Sequence, residues 1–160
     1  MAGDGERALA MEEVRNLVVQ YPHVVDKGDF EGVGEFYDGV TTRVFDVDGN
    51  PTGDDHTRSA AEVKEFYDQI IAVDGAGRPN TQHLVSNVQV EVAADCETAT
   101  ARSTFTVLNQ DEGFPLQVIV TGTYVDRFER AEGRWTLRER DEYMGMVGDL
   151  SRHLKIDLGL

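Results

Sequence analysis

TQHLVSNVQVEVA, residues 81–93, is where the apolar spacing of this chain changes from helical to alternating. Three further segments continue the alternation: TATARSTFTVLNQ (98–110), LQVIVTGTYVDRFER (116–130) and RWTLRERDEYMGM (134–146). The stretches between them, AADCE, DEGFP and AEGR, carry the small, polar and glycine residues of tight turns. Long strands joined by short turns predict an antiparallel meander.

Upstream the spacing is helical. Val14, Leu17, Val18, Tyr21, Val24 and Val25 fall on one face, with Glu12, Asn16, Gln20, His23 and Lys27 opposite. Gly28 is placed to close that helix, and Asp29 to cap a short second one carrying Phe30, Val33, Phe36 and Tyr37. TTRVFDVDGNP (41–51) reads as a strand entering a turn, and Ser59 as the cap of a third helix with Val63, Phe66, Tyr67, Ile70 and Ile71 inward. The loop DGAGRPN (74–80) follows. Helices first and long strands afterwards predict an α+β fold, a curved, mostly antiparallel sheet wrapped over N-terminal helices. At 160 residues the expectation is one domain over 1–160, with its core at about 11–148 and a tail at 149–160.

Thirty acidic against 15 basic residues give a net charge of −15, which argues against nucleic acid and anionic membrane surfaces as partners. A single cysteine, Cys96, allows no internal disulfide. No apolar run is long enough to cross a bilayer, and no zinc-type Cys/His spacing occurs. The opening MAGDGERALAMEEVRN lacks a basic n-region and an apolar h-region, so a cytoplasmic location is expected. DVDGN (46–50) begins like a calcium loop, but Pro51 stands where that loop needs glycine and Thr57 where it needs glutamate; the reading is a turn at Asp48-Gly49 and no metal. No cofactor is expected, since no ligand cluster or phosphate-binding glycine loop is present.

Several polar residues stand out. Asp26 sits in the last turn of the first helix, where the macrodipole favours a cation. His83 opens the meander, and strict alternation places Val85 and Asn87 on its face. Ala99, Ala101, Ser103, Phe105 and Val107 share a face of the next strand; small residues there either leave room for a ligand or accommodate helix packing. Arg138 and Arg140 alternate with core Trp135 and Leu137, which reads as surface ion pairing with Glu139 or Asp141.

VDKGDFEGVGEFY after the first helix, TQHLVSNVQVEV opening the meander, GTYVDRFERAEGRWTLRER across the last hairpin and GDLSRHL in the tail together resemble the SnoaL-like members of the nuclear transport factor 2-like superfamily, from about Met11 to His153. That resemblance implies a cystatin-like cone with an axial pocket. The family includes scytalone dehydratase, bile acid 7α-dehydratase and hexachlorocyclohexane dehydrochlorinase, but also cyclases, isomerases and pure binding modules. It implies an Asp26–His83 dyad in which Asp26 orients His83 as general base, with Tyr21 assisting a departing hydroxyl or a carbonyl. Asn87, Phe105 and Arg140 are then candidate substrate contacts. The residues alone fit a solvated carboxylate, a satisfied strand histidine and a core tyrosine equally well. Tyr21 and Asp26 are five positions apart, a rotation of about 140° on an ideal helix; Pro22 between them predicts the kink that brings them together. The implied activity is a cofactor-independent lyase, of dehydratase type, or an isomerase or cyclase acting on a hydrophobic small molecule. The alternative is a non-catalytic binding or oligomerisation module. A homodimer or homotrimer is expected.

Overall fold

The computed structural model describes residues 3–156. Helix α1 (Asp4–Val18) and helix α2 (Gln20–Val25) form the predicted first helix, broken at Val19. Pro22 has no N–H to give the Val18 carbonyl, so the ladder stops there and the chain turns. Gly28 takes φ +73°, a left-handed geometry that costs glycine nothing, and its α-carbon lies against the Gly77 carbonyl, where no side chain fits. Asp29 then caps α3 (Phe30–Phe36), its carboxylate accepting from Gly32 N at 2.9 Å. Ser59 opens α4 (Ala60–Ile70) with a reciprocal capping box to Glu62.

Strands β1 (Thr41–Phe45), β2 (His56–Thr57), β3 (Thr81–Val92), β4 (Thr98–Asp111), β5 (Phe114–Ala131) and β6 (Arg134–Val147) form one six-stranded curved sheet in the order β2-β1-β6-β5-β4-β3. The meander β3 to β6 is antiparallel, as its turns predict; β1 joins the far edge parallel to β6. Strand β2 carries no sequence signal of its own and forms by pairing with β1. Between them, the Asp46 carboxylate accepts from the Asp48 and Asn50 amides at 2.9 and 2.8 Å, which makes 46–50 the expected turn.

The helices lie on the concave face. Val14, Val18, Val25, Val33, Ala99, Ala101, Phe128 and Trp135 are all buried in one cluster, so the small residues of β4 accommodate helix packing. Leu17, Phe36 and Phe66 are only partly buried against the same cluster. A second cluster, around Phe105, Ile119 and Tyr124, fills the other end of the sheet, and Val85 packs against both. Cys96 is buried and unpaired.

Two of the sheet's register shifts decide which polar side chains near His83 and Arg140 face inward. On β3 the pairing with β4 slips between Ser86 and Gln89, with Asn87 at φ +52°; the inward set is His83 and Val85 before the bulge, then Val88, Val90 and Val92. On β6 the pairing with β5 slips beside Arg138, so the inward set passes from Trp135 and Leu137 to Arg140.

Candidate active site

An acid at the C-terminal end of α2 is explained by what it meets. The Asp26 carboxylate accepts from His83 Nδ1 at 2.6 Å, from the His83 backbone N–H at 2.8 Å and from the Thr81 hydroxyl at 2.9 Å. Three donors from the start of β3 outweigh an unfavourable helix dipole, which is worth about 1 kcal/mol at most at such a site. Burial alone pushes the Asp26 carboxyl up, but the hydrogen bonds and charge of His83 more than reverse this and hold it below the usual carboxylate range. With an ionised carboxylate on Nδ1, the proton of a neutral His83 sits on Nδ1 and Nε2 carries the lone pair. Nε2 has no hydrogen-bond partner among the described residues.

The break at Pro22 turns Tyr21 toward the same histidine. Its ring meets the His83 ring edge-on at 5.5 Å, and its hydroxyl shares a 3.0 Å hydrogen bond with the Tyr67 hydroxyl of α4. Burial, with neighbouring tyrosines, drives the Tyr21 hydroxyl well above its ordinary pKa, so it stays protonated. On another side of His83 lies His153, brought by the GDLSRHL segment, with ring centroids 6.4 Å apart. His153 is buried, and its Nδ1 has no partner among the described residues; burial, aided by nearby His83, lowers it to about 4 and keeps it neutral.

Arg140 is the largest correction to the sequence reading. It is 1% exposed and makes no surface pair. Its Nε and Nη2 grip Asp126, the cross-strand partner on β5, at 2.7 and 2.8 Å, and Nη1 donates to the Tyr37 hydroxyl at 2.9 Å. The guanidinium lies 4.1 Å over the Tyr124 ring. Three of its five N–H groups are thus engaged by the protein, and the side chain is buried. Glu139 and Asp141, the expected partners, bond instead to Arg43 and Arg127.

Asn87 stands elsewhere than expected, whereas Phe105 keeps its expected face of β4. The bulge turns Asn87 out to solvent, where its amide donates to the Thr104 hydroxyl. Phe105 is 2% exposed and stacks on Tyr124 at 4.4 Å. Gly122 permits this, since a Cβ there would stand 2.4 Å from the Phe105 ring.

A cavity of about 380 Å³ opens between β1, β6 and α4. Thr42, Val44, Tyr37, Phe66, Tyr67 and Glu142 are among its walls. His83 and Asp26 are not; Tyr67 and its partner Tyr21 link the cavity to the dyad. Glu142 and Tyr67 gave no sequence signal as site residues, because Glu142 reaches the concave face only through the bulge beside Arg138. His153 and Asp126 were legible in principle, as a histidine in the family-like tail and a lone acid between inward-facing Tyr124 and Phe128.

The fold is that of cystatin-like, nuclear transport factor 2-like structures. A protein of unknown function from Mycobacterium tuberculosis superposes with a TM-score of 0.69 at 18% identity, over 92% of this chain and 78% of that one. A nuclear transport factor 2-like protein from Novosphingobium aromaticivorans superposes with a TM-score of 0.63 at 21% identity, over 86% and 84% of the two chains. A proposed scytalone dehydratase from the same organism gives 0.62 at 17% identity, over 89% and 88%. At these identities the likeness is one of fold. No curated protein sequence matches the chain significantly. Residues 6–141 match the SnoaL-like domain, and the chain belongs to that family. Among the described residues no helix is long and apolar enough to cross a membrane.

Proposed function

We propose that the protein is a cofactor-independent lyase, eliminating water from a hydrophobic small molecule that carries a carbonyl, with isomerisation through the same enolate as the nearest variant. The observation that carries this reading is the 2.6 Å bond between His83 Nδ1 and Asp26, in a pair whose side chains are 6% and 20% exposed. Asp26 fixes the tautomer and stabilises the imidazolium. Nε2 removes a proton next to the carbonyl, the electron pair forms the new carbon–carbon double bond, and the β-hydroxyl leaves as water after taking a proton. Tyr21, still protonated and next to His83, is the donor to that oxygen. General-base catalysis of this kind contributes roughly 10² to 10⁴ in rate, enough for a carbonyl-activated proton and too little for an inert one. The dehydratase name of one structural neighbour supports the reading by analogy of fold.

A second reading, a non-catalytic binding module, draws on the position of the cavity, whose walls do not include the dyad. In the lyase reading the substrate's reactive end reaches His83 past the Tyr21–Tyr67 hydroxyl pair.

The test is a panel of cyclic and aromatic β-hydroxy ketones followed by enone absorbance. Turnover should fall by about 10² or more in His83→Ala and comparably in Asp26→Asn, with the double variant no worse than His83→Ala. Turnover that survives His83→Ala, or none on any member of the panel, would leave the binding reading standing.

A further inference from the structure

Glu142 is the acid that the dyad mechanism does not use. It stands on β6 two residues after Arg140, on the same concave face, and lines the cavity. Its side chain retains accessible surface although the protein surrounds it closely enough to desolvate the carboxyl, so the surface it exposes is that of the cavity. It forms no hydrogen bond or ion pair among the described residues. The neighbouring cation makes no hydrogen bond to it; Arg140 donates to Asp126 and Tyr37 instead. Burial raises the Glu142 carboxyl above its usual range, while the charge of Arg140 and, less, of His83 opposes this. The other charges along the walls are more open: Asp54 and His56 are exposed, and half-buried Arg58 is stacked 4.5 Å over Phe66. Solvent screens those; it does not screen Glu142 to the same extent.

We infer that Glu142 sets the specificity of the cavity, admitting apolar molecules that present a hydroxyl or a protonated amine to its carboxylate and rejecting those that present a carboxylate. An unpaired carboxylate with cavity on one side and desolvating protein on the others is satisfied by a donor and repelled by a second anion. The remaining walls, Val44, Phe66 and Tyr67 among them, suit a flat apolar body. The inference rests on the reading that the cavity seats the small molecule, and not on the chemistry of the dyad.

Three probes of one shape test it: naphthalenemethanol, naphthalenemethylammonium and naphthoate, titrated calorimetrically against the full chain in mildly alkaline buffer, which favours the ionised carboxyl. The wild type should bind the alcohol and the ammonium at least about tenfold more tightly than the carboxylate. Glu142→Gln should bring the carboxylate to within about threefold of the alcohol and weaken the ammonium; Glu142→Met should likewise abolish discrimination against the carboxylate, with thermal melts confirming that both variants fold. Arg138→Gln, exposed on the outer face of β6 and paired with Glu129, should leave the ratio of alcohol to carboxylate as it is. Naphthoate binding to the wild type as tightly as the alcohol, a ratio unchanged in both Glu142 variants, or no binding of any probe would each overturn the inference. Loss or survival of elimination in the dyad variants leaves these ratios untouched, so the two readings fail separately.

Discussion

Replacing Arg140 by leucine should be among the most damaging single changes in the chain, for reasons of stability before any of function. The side chain and its Asp126 partner are each 1% exposed. Leucine leaves a carboxylate in the core with neither of its guanidinium donors, and the Tyr37 hydroxyl loses the 2.9 Å bond it accepts. Removing one member of a buried pair costs about 3–5 kcal/mol, and the hydroxyl adds about 1. For a chain of this size each kcal/mol lowers the melting temperature by roughly 2–4 °C, so a fall on the order of 10–20 °C is expected in calorimetric melts. Asp126→Leu should cost about as much. The Arg140→Leu, Asp126→Leu double variant should cost well under the sum, because it removes both charges together, and the double-mutant cycle should return a coupling of several kcal/mol. A loss below about 1 kcal/mol for Arg140→Leu, the figure for an exposed pair, or strictly additive costs, would refute the buried-pair account.

Two further outcomes follow from other parts of the fold. His153 is held near 4 against an ordinary value of 6.5, so below that ordinary value the unfolded chain binds a proton the native state refuses; its contribution of about 3 kcal/mol is complete above pH 6.5 and lost as the pH falls to about 4. Urea titrations of wild type and His153→Phe across that window should show the variant's stability falling less steeply with acid, and parallel curves would contradict a buried neutral imidazole. Gly28→Ala forces a side chain into left-handed backbone 2.0 Å from the Gly77 carbonyl oxygen, so a loss of roughly 1–3 kcal/mol is expected in the same assay.

The candidate site was legible where its signal was local in the chain. Asp26 was conspicuous because it opposes the helix dipole, and the structure shows the donors that hold it there. Pro22 announced the break that turns Tyr21 toward His83. Arg140 was misplaced and Glu142 went unnoticed for one shared reason. Alternation assigns faces correctly only until a strand takes in an extra residue, and the bulge beside Arg138 moves the residues of β6 from Arg140 to Met144 to the opposite face. The same slip on β3 turned Asn87 from an expected pocket contact into a solvent-facing residue.

From the chain alone, then, came the α+β order, the helix caps at Asp29 and Ser59, the turn at 46–50 and the four strands of the meander, since periodicity, capping and turn chemistry act within a few residues. Tertiary structure decided which polar groups face the interior and what they meet there. Where a bulge falls depends on the hydrogen-bonding of the neighbouring strand, and whether a buried charge is tolerated depends on a partner that the register carries to it, as β5 carries Asp126 to Arg140. The cavity beside Glu142 belongs to that second kind, because its walls come from β1, β6 and α4, elements that only the folded sheet brings together.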